Sequence, residues 1–130
     1  GGKKSLMPGY FLGISAEKIH VGGGLFNLPV EQLRQVRKLI ATNTDDFIAI
    51  LNAASFKNTF KSLKGERSKR LDKALQPILE KTPYIANKQF YVMREIPLVK
   101  YVGMEKMCEV ILDTFATVDQ LNKFLQKATA

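Results

Sequence analysis

The side chains best suited to chemistry in this sequence are cations, and they are bunched. Lys57, Lys61, Lys64, Arg67, Lys69, Arg70 and Lys73 fall in one stretch that holds only two carboxylates, Glu66 and Asp72. Of the net charge of +8, a surplus of five lies there. A local surplus attracts phosphate, nucleic acid or an acidic protein surface, whereas an evenly spread one mainly aids solubility. Phe56 and Phe60 head the stretch, so base stacking beside phosphate contacts is one reading. Their four-residue spacing is more often that of core anchors on a helix.

Two further features could hold an anion. Gly22-Gly23-Gly24 precedes a helical pattern, and backbone N–H groups in such a loop bind phosphate through unsatisfied donors and the helix dipole. The triplet lacks the Lys-Ser/Thr of a P-loop and the spacing of a dinucleotide fingerprint, so the competing reading is a strand end or bulge where another backbone passes closely. Arg37 lies between the apolar stripe and the polar face of the following helix. Its guanidinium suits a bidentate carboxylate or phosphate, or it ties down an internal carboxylate or helix-end carbonyls.

Catalytic signals are absent from the motifs. His20 is the only histidine; a general base is the sharp reading and a hairpin-edge side chain the ordinary one. Cys108 lies on an apolar stripe with methionines and reads as a buried, inert thiol. One His and one Cys give no zinc-ligand spacing, so neither a metal nor a cofactor is expected. There is no Gly-x-Ser-x-Gly elbow and no Cys/His pairing.

The elements that must position these groups follow from periodicity. Gly9 to Ser15 and Lys18 to Val21 alternate and form a hairpin, which the glycine triplet ends. Asn27 is a cap, with Pro29 near the first position, for a helix whose stripe is Val30, Leu33, Val36, Leu39 and Ile40. Thr44 caps a second helix, with Asp45 and Asp46 in its first turn and Phe47, Ile48, Leu51 and Ala54 toward the core. Phe56, Phe60 and Leu63 mark helical turns that Gly65 breaks. Leu71 to Glu80 reads as a helix interrupted or ended near Pro77, and Pro83 begins an extended passage. Phe90 to Ile96 is a strand with Phe90, Val92 and Ile96 on one face. Met104, Met107, Cys108, Ile111 and Phe115 form one apolar helical stripe, and a last helix follows Thr117.

This is an α+β pattern: a small, mainly antiparallel sheet, hairpin 9–22 plus strand 90–96, packed against about five helices in a single domain, 1–130. Three strands make a thin sheet for so many helices, so either the stretch from Ser55 to Lys73 adds a strand or more strands lie outside this sequence. No apolar run approaches the roughly 20 residues needed to cross a bilayer. The single cysteine excludes an intrachain disulfide and leaves a cytoplasmic setting as the default.

The residues Pro8-Gly9-Tyr10-Phe11-Leu12, Gly22-Gly23-Gly24, Leu33-x-x-Val36-Arg37-x-x-Ile40, Phe56-x-x-x-Phe60-x-x-Leu63-x-Gly65-Glu66 and Lys88-x-Phe90-Tyr91-Val92 come in a familiar order. Nearly the whole chain resembles the domain of unknown function 2461 family. The resemblance implies that this is the C-terminal portion of a larger domain, with helices and an Arg- and Lys-rich strand segment preceding Gly1. It implies an arginine at Arg37 and no particular activity. Three departures stand out: the family usually has glycine where Lys61 stands, leucine where Ser68 stands, and a Lys-Gly, acidic, His-Pro passage in the region Leu71 to Thr82.

The leading expectation is a non-catalytic binding domain whose basic face around Lys57 to Lys73 recognises nucleic acid or a phosphorylated ligand. One alternative is an enzyme with a cleft between Gly22–Gly24 and Arg37, completed by an absent N-terminal segment. Another is a structural domain whose basic face meets an acidic protein. None of these places the chain in a membrane.

Overall fold

The computed structural model describes residues 8–98 and 103–129. Strands β1 (Gly9–Ile14), β2 (Lys18–Leu25) and β3 (Phe90–Pro97) form one antiparallel sheet in the order β1-β2-β3. The helices are α1 (Val30–Thr42), α2 (Thr44–Asn52), α3 (Ala54–Phe60), α4 (Gln76–Lys81) and α5 (Met104–Gln126). The α+β expectation holds, and so does the hairpin.

Alternation decides which face of the sheet the helices take. Ile19, Val21 and Leu25 of β2 and Phe90, Val92 and Ile96 of β3 are buried on one side, where α5 crosses β2 with Val118 against Gly23. That side carries the core, including Val36, Ile40, Phe47, Phe56, Phe60, Leu121 and Leu125. Tyr10 holds the edge strand β1 to the same layer. Its hydroxyl donates to Asp119 Oδ1 at 2.6 Å, and its ring meets Phe115 edge-on at 5.4 Å. The bond favours phenol over phenolate and carboxylate over acid, so the Tyr10 pKa rises and that of Asp119 falls.

The opposite face of the sheet bears Phe11, His20, Gly22, Gly24, Tyr91, Met93 and Glu95, and no helix covers it among the described residues. The structure is therefore two layers with one face of the sheet open.

Several local expectations are corrected. The glycine triplet does not end β2: it lies inside the central strand, paired to β1 on one side and β3 on the other. A Cβ on Gly22 would collide with Val92 O, one on Gly23 with Gly9 O and Val118 Cγ1, and one on Gly24 with Phe90 O. Close approach of two neighbouring backbones, with φ +117° at Gly24, outweighs the usual weakness of glycine in a strand.

Asn27 caps nothing: Pro29 holds the cap position of α1, without a side-chain bond. Thr44 is the first residue of α2 rather than its cap, and its hydroxyl donates back to Ile40 O at 2.9 Å. Ala54 is exposed at the start of α3. Pro77 sits in the first turn of α4, where a missing N–H costs nothing, and Pro83 opens a 3-10 turn instead of an extended passage. The C-terminal stripe belongs to a single 23-residue helix. Cys108 is exposed and Met104 is 80 % exposed, because the N-terminal turns of α5 overhang the core.

Gly22→Ala is expected to lower unfolding free energy by about 3 kcal/mol, since its methyl forces β2 and β3 apart. Urea denaturation checks this, and an unchanged midpoint refutes the close-approach account.

Candidate anion-binding site

The segment after α3 owes its course to backbone pairing, not to helix formation. Phe56 and Phe60 are buried core anchors with ring centroids 5.5 Å apart, so they offer no stacking surface. At Lys61 the chain turns with φ 68° and ψ −58°, and Ser62 N–H donates to Phe60 O at 2.8 Å. This tight three-residue turn is one that a side chain adopts only under strain, costing on the order of 1–3 kcal/mol. A glycine would sit there freely. Lys61, not Gly65, ends the helix.

Beyond the turn, Leu63 is buried and the chain runs antiparallel to the outer side of β3 through two bridges, Lys64 with Tyr91 and Arg67 with Asn87. Lys64 N–H donates to Tyr91 O at 2.8 Å, Lys88 N–H to Glu66 O at 2.6 Å, and Ser68 N–H to Ala86 O at 2.7 Å. The stretch from Ser55 to Lys73 thus supplies a short, irregular fourth ribbon along the β3 edge.

Arg37 fastens that ribbon. Its Nη2 donates to Ser68 Oγ at 2.9 Å and to Ala86 O and Asn87 O, each at 3.0 Å. One guanidinium therefore joins α1, the basic ribbon and the turn that leads into β3. Burial lowers its pKa and Asp72 partly restores it; an arginine remains charged at neutral pH regardless. Nε is buried without a partner, which marks how far the fork has been committed to the carbonyls. Of the two sequence readings, tying down helix-end carbonyls is the one seen. Arg37 also lines a groove of about 440 Å³ with Leu33, Arg34, Lys38, Asp72 and Leu75. Neither His20 nor the glycine triplet borders this groove.

The seven cations Lys57, Lys61, Lys64, Arg67, Lys69, Arg70 and Lys73 are all exposed. Among the described residues none of them joins an ion pair, whereas Glu31, Glu95, Glu109 and Asp119 take other cations. Arg67 lies over the Tyr84 ring at 5.4 Å. The guanidinium is thus oriented by an aromatic face rather than neutralised by a carboxylate.

The glycine triplet contributes no free donor loop; it lies in two ladders, and α1 begins only at Val30. Its place matters for another reason. Gly22 stands between Phe11 and Met93, and Gly24 between Gly9 and Tyr91, so the middle of the open face carries no side chain.

His20 lies on the same face, 3.8 Å from Glu95 Oε1. Lys18 bonds Glu95 at 3.0 Å, and that bond and charge lower the Glu95 pKa. The carboxylate at the far end of the face is thereby paired. Among the described residues no three His, Cys, Asp or Glu side chains converge for a metal. No helix there is long and apolar enough to cross a membrane.

Sequence reasoning missed the aromatic side chains that do reach the surface beside the cations. Phe26 stacks at a tilt on Tyr91, centroids 4.8 Å apart, and Phe11 lies 6.5 Å from Phe26. Tyr91 alternates with buried Phe90 and Val92, whereas Phe11 lies between exposed Tyr10 and Leu12, so the grouping shows only across the three strands.

Fold and site together define a two-layer α+β domain with a one-sided helical cover and a cation-rich ribbon on one sheet edge. The chain belongs to the family described as conserved hypothetical protein (DUF2461), whose model matches residues 1–124. No curated protein and no solved structure matches it.

Arg37→Lys keeps the charge and loses the fork. We expect a loss of about 2 kcal/mol, the scale of hydrogen bonds made by a charged donor. An unchanged urea midpoint would show that the three contacts are incidental.

Proposed function

We propose that this domain is a non-catalytic binding module whose basic ribbon, Lys57 to Lys73, recognises an anionic partner, with nucleic acid foremost and a phosphorylated ligand as the smaller version of the same chemistry. The observation that carries the reading is a row of exposed cations that, among the described residues, form no ion pair with the protein's own carboxylates. Such a row raises the local concentration of polyanions and gains from counterion release on contact. Arg37 supports it by fixing the ribbon against β3 at Ser68. Gly22, Gly23 and Gly24 serve here as flat strand backbone, and the anion-binding groups are Lys57, Lys61, Lys64, Arg67, Lys69 and Arg70, with Lys73.

Two local features support a role for this ribbon. Lys61 accepts backbone strain where glycine would have none, and so adds a cation. Ser68 supplies the hydroxyl that Arg37 holds, where leucine could not. Strain kept at a surface turn is commonly associated with a working site.

Fluorescence anisotropy with labelled single- and double-stranded DNA and RNA tests the proposal at about 50 mM and about 200 mM salt. Binding at the lower concentration, weakened roughly tenfold or more at the higher, is expected for several phosphate contacts. Absence of binding at low salt removes the reading.

A further inference from the structure

The open face of the sheet has a composition that charge alone does not explain. Phe11 is 43 % exposed and Phe26 37 % exposed, while the core rings Phe47, Phe56 and Phe90 are wholly buried. These rings are not scattered: exposed Phe11 and Phe26 and half-buried Tyr91 form one chain with centroid steps of 6.5 and 4.8 Å. They gather over the part of the sheet where Gly22 and Gly24, themselves buried, contribute no side chain. The cations adjoin this patch, because the bridge between Lys64 and Tyr91 sets an exposed ammonium on the residue next to the ring. Directly opposed residues of an antiparallel pair have Cβ atoms about 5 Å apart.

We propose that this face binds single-stranded nucleic acid, with bases stacked on Phe26, Tyr91 and Phe11 and the backbone tracking the cations from Lys64 to Arg67. The inference rests on the basic-ribbon reading and names its ligand class. A flat, helix-free sheet with surface rings gives unpaired bases a π-face to lie on, and every base has such a face, so the contact is tolerant of sequence. A duplex hides those faces inside its own stack, and it could use only the cations. An acidic protein surface likewise meets the charge and leaves the rings idle. Glu95, held by Lys18 at 3.0 Å, marks the end of the platform: the strip from Gly24 to Tyr91 lacks a carboxylate, and the strip from His20 to Glu95 has one.

The test uses a fluorescein-labelled oligothymidylate of about ten nucleotides, within the span one such platform covers. It is compared with a duplex of equal length and with polyglutamate as competitor. Phe26→Leu and Phe11→Leu remove a ring and keep an apolar side chain; thermal unfolding confirms that each folds, and either alone suffices if the other fails. Each is expected to weaken oligothymidylate binding roughly tenfold with the salt slope unchanged. Lys64→Gln is expected to reduce the slope by about 0.7, one phosphate contact on a single strand.

Folded ring variants that bind like the parent would overturn the stacking inference and leave the basic-ribbon reading standing. Equal affinity for the duplex, or displacement by polyglutamate as readily as by unlabelled oligothymidylate, would overturn it in the same way. Loss of all binding at low salt overturns both.

Discussion

The arrangement depends on one guanidinium. Lys64, Arg67, Lys69 and Arg70 repel each other on a ribbon without helical bonds, and apart from Leu63 that ribbon has little apolar surface to bury. What keeps it on the β3 edge is a set of backbone bonds at Lys64, Glu66 and Ser68 together with the three bonds of Arg37 Nη2. Hydrogen bonds from a charged donor contribute about 1.5–3 kcal/mol each, more than a neutral backbone bond at an irregular edge. Arg37 is set by α1, whose Val36 and Ile40 are fully buried, so the position of the charged surface is inherited from the hydrophobic core. The half-buried cation thus serves to place the exposed ones.

The open face has an equally simple origin. Apolar side chains of β2 and β3 alternate toward one layer, and the intervening positions of β2 are Lys18, His20, Gly22 and Gly24. Those positions offer a helix nothing to pack against. The glycines also let β1 and β3 approach β2 more closely than any side chain allows. The same three residues therefore close the sheet laterally and keep its outer surface flat. Rings arriving from β1, β3 and the residue after β2 meet across that gap.

Much of this was legible in the sequence wherever a signal repeats within one element. The hairpin, the strand at Phe90, the helix with Val36 and Ile40, and the buried pair Phe56 and Phe60 all follow from local period. The errors arose where a distant partner overrides local preference. The glycine triplet looked like a strand end because the backbones that need it belong to residues 9 and 90–92. Cys108 looked buried because a helical stripe reveals amphipathicity without revealing where the core stops. Pro77 and Pro83 looked like breaks, but each sits where a turn begins and its missing N–H is not needed. The surface rings could not be found at all from one segment, since Phe11, Phe26 and Tyr91 come together only through strand register. The cations, by contrast, were evident from composition, and their exposure follows from their number.

The central claim is that the helix-free sheet face and its basic edge form one working surface. Amide chemical-shift mapping during titration with unlabelled oligothymidylate addresses it most directly. The account expects perturbations at Lys64 to Ser68, at Phe11, Phe26 and Tyr91, and at the glycines between them, with the middle of α5 unmoved. Perturbations confined to the helical layer, or to the α1 groove with the sheet face silent, would contradict it.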